Sequence, residues 1–339
     1  MSQFIVNNKV YEISMQKSLH KTEMLNTDIP SDLLKKNYEQ MKKSIIILIL
    51  VMLSNSLVSM GQASDSMQQI GITVISQVNQ GNSYITFPLD IGNIEPLWFE
   101  GNLIPNFYLR QSKNSRLVGV ITPQVIIRMY QEESYPVRSP SYIPQLTLYY
   151  SLIENGNNKN ISLFSRIAHH SNGQEGDFFL ENGDINTKSG DFSTNFFEEG
   201  IMKTNFNKRF NAFQFFKSSL EVHPQSWSSD ELAGIYSTVR WHNAFSIFKL
   251  SNKNIDPKQR HADISIKGEA IWMFGELNGW ESTSINRLNL SFTFYYHPTF
   301  LEDIGLFVQY YHGLDYYNMY FSHQLDVLRF GFMTEKLRF

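Results

Sequence analysis

An imidazole and a hydroxyl stand two residues apart in the run Ile161-Ser162-Leu163-Phe164-Ser165-Arg166-Ile167-Ala168-His169-His170-Ser171-Asn172-Gly173. The run alternates. Ile161, Leu163, Ser165, Ile167, His169 and Ser171 form one set, and Ser162, Phe164, Arg166, Ala168 and His170 the other. Successive side chains of a strand point to opposite faces, and Cα atoms two apart are roughly 6.5–7 Å from each other. His169 and Ser171 therefore project together, and the imidazole can take the hydroxyl proton as a general base. They end an apolar stripe. If that stripe faces lipid, the pair meets acyl chains, which suits a lipid substrate. His170 points the other way and is not the base. The competing view is that a His and a Ser simply decorate the wet end of a strand.

The elements that would carry such a pair repeat along the chain. In Ala262–Phe274, Ile264, Ile266, Ala270, Trp272 and Phe274 oppose Asp263, Ser265, Lys267 and Glu269. In Arg287–His297, Leu288, Leu290, Phe292, Phe294 and Tyr296 oppose Asn289, Ser291 and Thr293. Leu146, Leu148, Tyr150 and Leu152 oppose Gln145, Thr147, Tyr149 and Ser151. Each segment has one greasy and one wet side. Segments of about ten residues, tilted by about 45°, span a bilayer. Candidates begin near residues 84, 98, 117, 142, 160, 195, 212, 235, 262, 287, 304 and 324. The expected fold is all-β, an antiparallel transmembrane β-barrel of about twelve strands, the first two being the weakest. A β-sandwich would use shorter strands.

Composition agrees. The 339 residues include 26 Phe, 17 Tyr and 5 Trp, with a net charge of −3 and no cysteine. So many rings suit the aromatic girdles of an outer-membrane barrel, and Trp98, Trp241 and Trp272 read as belt or lipid-facing residues. The absence of Cys excludes a disulfide scaffold, a thiolate metal site and a Cys nucleophile. The charge balance argues against a nucleic-acid partner. Met41-Lys42-Lys43-Ser44, the apolar run Ile45–Leu53, and Ser59-Met60-Gly61-Gln62-Ala63 have the order of a secretory signal peptide. Residues 41–63 are read as that signal and residues 1–40 as an over-called extension before a start at Met41. The mature barrel is expected to run from 64 to 339 and to close on Phe339, an aromatic end common in outer-membrane barrels.

His169-His170-Ser171-Asn172-Gly173 resembles the His-x-Ser-Asn-Gly motif of the outer-membrane phospholipase A family. Ser134-Tyr135-Pro136-Val137-Arg138 and Tyr142-Ile143-Pro144-Gln145-Leu146 are similar to the family's loop and following strand. Tyr311-His312-Gly313-Leu314-Asp315-Tyr316-Tyr317-Asn318 is similar to its penultimate turn, and Arg329-Phe330-Gly331-Phe332-Met333 to its final strand. The resemblance implies a twelve-stranded homodimeric barrel in the outer membrane. It also implies a calcium-dependent activity against sn-1 and sn-2 acyl esters of membrane phospholipids and lysophospholipids. It makes Ser171 the nucleophile, His169 the base and Asn195 the orienting third member. Gly173 would supply the oxyanion amide, helped by calcium-bound water. Calcium would take the Gln174 carbonyl, a loop side chain, and Ser134 of a second copy of this chain. The loop between Ser171 and Asn195 is longer here than in the family, and Asp191 stands where the family has a serine. Glu175, Asp177 and Asp184 read as solvated loop charges. Gln124, mid-strand, is a lesser candidate for a buried polar contact at a dimer interface.

Two other readings compete. A lipid A 3-O-deacylase also carries His-x-Ser on a barrel exterior, with a glutamate as third member; Glu198 or Glu199 would fill that role, on a barrel of only eight strands. A non-catalytic porin would leave His169 and Ser171 as rim decoration.

Overall fold

A computed structural model of the chain describes residues 70–334, apart from 111, 113–114, 135, 156–158, 251–261, 299 and 302–303, together with a short hairpin near the start. The hairpin pairs β1 (Phe4–Val6) with β2 (Lys9–Tyr11) and belongs to a separate unit, Met1–Ser64. The expected start at Met41, the signal peptide 41–63, the cleavage before Ser64 and the terminal Phe339 lie outside the described residues.

The second unit, Asp65–Phe339, opens with the helix α1 (Ile72–Gln80). The strands follow as β3 (Tyr84–Thr86), β4 (Ile91–Gly92), β5 (Leu97–Leu103), β6 (Phe107–Leu109), β7 (Leu117–Tyr130) and β8 (Ser141–Asn155). Next come β9 (Lys159–Ser171), β10 (Ser193–Asn207), β11 (Ala212–Val222) and β12 (Val239–Leu250). The series ends with β13 (Ala262–Phe274), β14 (Leu288–Tyr296), β15 (Ile304–Leu314) and β16 (Gln324–Thr334). These form one 14-stranded sheet in which each long strand pairs antiparallel with the next. β3 and β4 are halves of one interrupted stave, as are β5 and β6, so the wall has twelve staves. Pro88 and Pro105 sit in the two interruptions. Proline has no N–H to give a ladder, which is why the first two staves are broken. β16 pairs with β15 on one side and with β3 and β4 on the other, closing the barrel.

Among the described residues of the barrel, closure leaves no long strand at an edge, and the alternation sorts residues into a wall and a lumen. On β9, Leu163 and Ile167 are exposed on the outside while Phe164, Ala168 and His170 are buried inside. β14 repeats this, with Phe292, Phe294 and Tyr296 outside and Thr293 and Tyr295 inside. Trp98 and Trp241 are exposed and Trp272 is half-buried. Gln124 is a correction. On β7 the buried set is Val118, Val120, Thr122, Ile126 and Arg128, so Gln124 faces the lumen, where it bonds Asn102 (3.0 Å) and Gln145 (3.1 Å). It is not an exterior contact. The parity was hard to read because β7 is apolar on both faces.

The lumen is filled in two zones. Near the ends of the strands remote from Ser171, Ile72 and Ile75 of α1 are buried against Val118, Tyr149, Phe164, Phe213 and Phe248. Gln80 Nε2 donates to Thr147 Oγ1 (3.0 Å), and Asn79 Nδ2 to the Tyr149 hydroxyl (2.9 Å). Each buried isoleucine is worth about 1.5–3 kcal/mol. Elsewhere in the lumen Arg128 bridges Glu100 (2.6 Å) and Asp315 (2.6 Å), and Arg329 also binds Glu100 (2.8 Å), all buried. Removing one partner would strand a buried charge at about 3–5 kcal/mol.

A barrel stoppered by α1 is expected to pass far less current in a planar bilayer than an open porin, and deleting residues 70–80 should raise that current. Unchanged conductance after the deletion would show that α1 is not the stopper.

Candidate active site

The connections 131–140, 172–192, 223–238, 275–287 and 315–323 all leave one end of the barrel, and His169 and Ser171 lie at that end. Both share the outer face of β9 with Leu163 and Ile167, the latter 52% exposed. Antiparallel register sets Asn195 of β10 directly opposite His169, and Ser193 opposite Ser171. On the other side of β9, Ser171 pairs with Tyr142 of β8. Beneath this row the wall continues as Leu146, Ile167, Phe197 and Ile201, all exposed.

His169 Nδ1 lies 2.9 Å from Asn195 Oδ1. Asn195 Nδ2 donates to the Trp227 carbonyl at 2.7 Å. A backbone carbonyl can only accept, so the amide nitrogen must face it and the amide oxygen must face the imidazole. His169 then carries its proton on Nδ1, and the Nε2 lone pair is left to act as a base. Ser171, His169 and Asn195 are thus brought onto one outer face, with the His169 proton on Nδ1.

Neither glutamate fits the same role. Glu198 lies in the lumen, 1% exposed, bound to Arg166 (2.8 Å) and Lys217 (2.7 Å). Glu199 is outside but sits opposite Ser165, whose hydroxyl donates to it at 2.6 Å. That is four residues along the strand from Asn195, roughly 13 Å. With twelve staves instead of eight, the deacylase reading loses both its residue and its fold.

The loop 172–192 is built by groups the motif alone does not reveal. Asn172 is buried and staples the two ends of the loop: its Oδ1 accepts from Phe192 N (3.1 Å) and Gln174 N (3.3 Å), and its Nδ2 donates to the Gly190 carbonyl (2.8 Å). Gly176 and Gly190 meet in a bridge, where a Cβ on Gly176 would stand 2.3 Å from the Ser189 carbonyl. Gly173 has φ +65°, a backbone conformation side chains resist. Phe178 and Phe192 pack with Leu232, Tyr236, Met319 and Phe321 of neighbouring connections, tying the loop down.

Gln174 stands between Asn172 and Gly176 on one side of the loop's neck, and Asp191, which is exposed, between Gly190 and Phe192 on the other. Ser134 is exposed in the β7–β8 connection, with φ +66°. Glu175, Asp177 and Asp184 are exposed, as loop charges should be. Among the described residues no group of three or more His, Cys, Asp or Glu side chains could hold a metal. The neck offers one carboxylate and one carbonyl, both hard oxygens of the kind calcium takes. A divalent ion there would need further carbonyls, hydroxyls or a second chain.

No family model and no curated protein matches the chain. Among solved structures the fold is similar to outer membrane phospholipase A from Escherichia coli, with 14% identity and a TM-score of 0.52 over 78% of this chain and 98% of that one. It is also similar to an active-site mutant of the Escherichia coli protein, in which an asparagine is replaced by alanine, with 12% identity and a TM-score of 0.50 over 81% of this chain and 94% of that one. A Salmonella typhi outer membrane phospholipase dimer with bound calcium matches with 13% identity and a TM-score of 0.50 over 75% of this chain and 91% of that one. At these identities the likeness is one of fold.

Asn172→Ala would leave buried backbone groups unpaired, at about 1–3 kcal/mol each. The expected result is faster protease cleavage within 172–192 while the barrel stays resistant. Equal cleavage rates would mean that Asn172 is not the staple.

Proposed function

We propose that this protein is an outer-membrane phospholipase, hydrolysing acyl esters of glycerophospholipids and lysophospholipids with Ser171, His169 and Asn195. One observation carries the reading: the three residues share one row on the barrel exterior, above an apolar wall, with His169 Nδ1 committed to Asn195 Oδ1 at 2.9 Å. A water-soluble substrate would have no reason to meet a nucleophile there. An acyl chain lying along Ile167, Phe197 and Leu146 brings its ester to the height of Ser171.

In this mechanism Ser171 Oγ attacks the ester carbonyl as its proton passes to His169 Nε2. The tetrahedral oxyanion accepts the Gly173 amide N–H, a donor typically worth about 3 kcal/mol of barrier. The imidazolium then returns the proton to the departing glyceryl oxygen. Water then attacks the acyl carbonyl as its proton passes to the same nitrogen, and the imidazolium returns that proton to Ser171 Oγ as the fatty acid leaves. Asn195 orients the ring throughout; being neutral, it stabilises imidazolium less than a carboxylate would.

Calcium and a second copy of the chain belong to the same proposal. Gln174 through its carbonyl, Asp191 through its carboxylate and Ser134 of a second copy are the candidate donors. When bound, the ion would add positive charge beside the oxyanion. Dimerisation would also enclose the acyl chain between two walls and hold the enzyme silent while monomeric. Export through the 41–63 signal and residence in the outer membrane complete the reading; the fold neighbours above are outer-membrane barrels.

Fatty-acid release from detergent-dispersed phospholipid tests the assignment. Ser171→Ala is expected to lower the rate by about ten-thousand-fold or more, as loss of a nucleophile does elsewhere. Asn195→Ala should cost about a hundredfold, since orientation but no charge is lost, and Glu199→Ala should cost nothing. Full activity in Ser171→Ala, with a normally folded barrel, would remove the mechanism; full activity in excess chelator would remove calcium.

A further inference from the structure

The third member of the row is itself held by groups outside it. The 3-10 turn Gln225–Trp227 crosses the outer end of β10, and its last carbonyl takes the Asn195 amide. The next residues are pinned to β10 from inside the barrel. Ser229 N donates to the Ser193 carbonyl at 2.8 Å, and Ser228 bridges Thr194. Thr194 faces the lumen and is fully buried, one position from Asn195, which faces outward.

Behind Thr194 runs a chain whose polarity can be worked out. Glu221 as a carboxylate can only accept, so His223 Nε2 donates to it (2.8 Å). Burial, with Arg240 alongside, holds His223 below its ordinary pKa, so the ring is neutral and its Nδ1 accepts. The partner at Nδ1 is the Thr194 hydroxyl, 2.9 Å away, which therefore donates to it. Thr194 Oγ1 then accepts from Ser228 Oγ at 2.7 Å. The Pro224 carbonyl, 3.4 Å from Ser228 Oγ, is the longer alternative acceptor for that hydroxyl, and the chain ends on the residue after Trp227.

We propose that the turn Gln225–Trp227 is an orienting clamp for the catalytic row, anchored through Ser228, Thr194 and His223 to the lumen. The inference rests on the triad reading above. Thr194, Ser228 and the Trp227 carbonyl are positioning groups; none touches substrate. Their effect is on which end of the Asn195 amide meets His169. Released from the Trp227 carbonyl, the amide can turn over and present Nδ2–H to Nδ1. His169 would then carry its proton on Nε2, where it cannot receive the serine's. Asparagine needs such a clamp because its two ends differ. Aspartate does not, and its carboxylate would be repelled by the Trp227 carbonyl.

That asymmetry supplies the test, run on the full-length protein in detergent with barrel folding checked by heat-modifiable gel mobility. Thr194→Val is nearly isosteric and removes both hydroxyl contacts; Ser228→Ala is the milder second variant should Thr194→Val fold poorly. In the Asn195 background each is expected to lower kcat by about tenfold, with KM unchanged, because a wrong tautomer removes the base. In the Asn195→Asp background the same changes should leave kcat unaltered or raise it. Imidazole ¹⁵N shifts of His169 should show a single Nδ1–H tautomer in the wild type and a mixture in Thr194→Val. Equal loss in both backgrounds, or a single unchanged tautomer in Thr194→Val, overturns the clamp. If Asn195→Ala leaves hydrolysis untouched, the triad reading fails instead.

Discussion

The pairing register between β9 and β10 is the constraint on which the rest depends. Asn195 opposes His169 because every residue from Ser193 to Thr204 has a fixed partner on β9. A slip of one residue would turn Asn195 into the lumen and bring Glu198 out. The register is hard to change because the sheet is closed: moving β10 would also break its ladder with β11. Barrel closure, needed to satisfy backbone hydrogen bonds in lipid, thus also fixes the geometry of the His169 imidazole and the Asn195 amide.

The same two strands serve opposite faces. Outward, His169, Ser171 and Asn195 stand above Ile167 and Phe197; inward, Arg166 binds Glu198 and His170 packs on Phe192. Lumenal pairs such as Arg128 with Glu100 and Asp315 reach from the wall to the connection after β15, so the mouth is braced by charge and by the aromatic cluster around Phe192 and Phe321. On the proposed reading, a rigid mouth is what a catalytic row at the barrel rim needs, since the row stands on an exposed wall. On that reading lipid, or a second barrel, would supply the remaining wall.

Much of this was legible in the sequence, for reasons specific to particular segments. On Ile161–Ser171 polar and apolar residues alternate cleanly, so the side on which His169 and Ser171 emerge follows from parity. β14 is equally plain. β7 was not: Leu117 and Ile121 outside face Val118 and Val120 inside, and with both faces apolar Gln124 could not be assigned. The helix Ile72–Gln80 is short and lacks a side-chain cap, and it forms against a lumen whose shape no local pattern encodes. Asn172 was visible as a motif letter but not as a staple. The Trp227 carbonyl could not be found at all, because a main-chain group leaves no mark on residue type.

The most direct measurement is covalent trapping. A long-chain alkyl sulfonyl fluoride, presented in mixed micelles, should modify one residue, and peptide mass spectrometry should locate the adduct on Ser171. The adduct should vanish when His169 is replaced by alanine, because the hydroxyl then has no base. Modification of another residue, or continued lipolysis by protein fully sulfonylated at Ser171, would contradict the account.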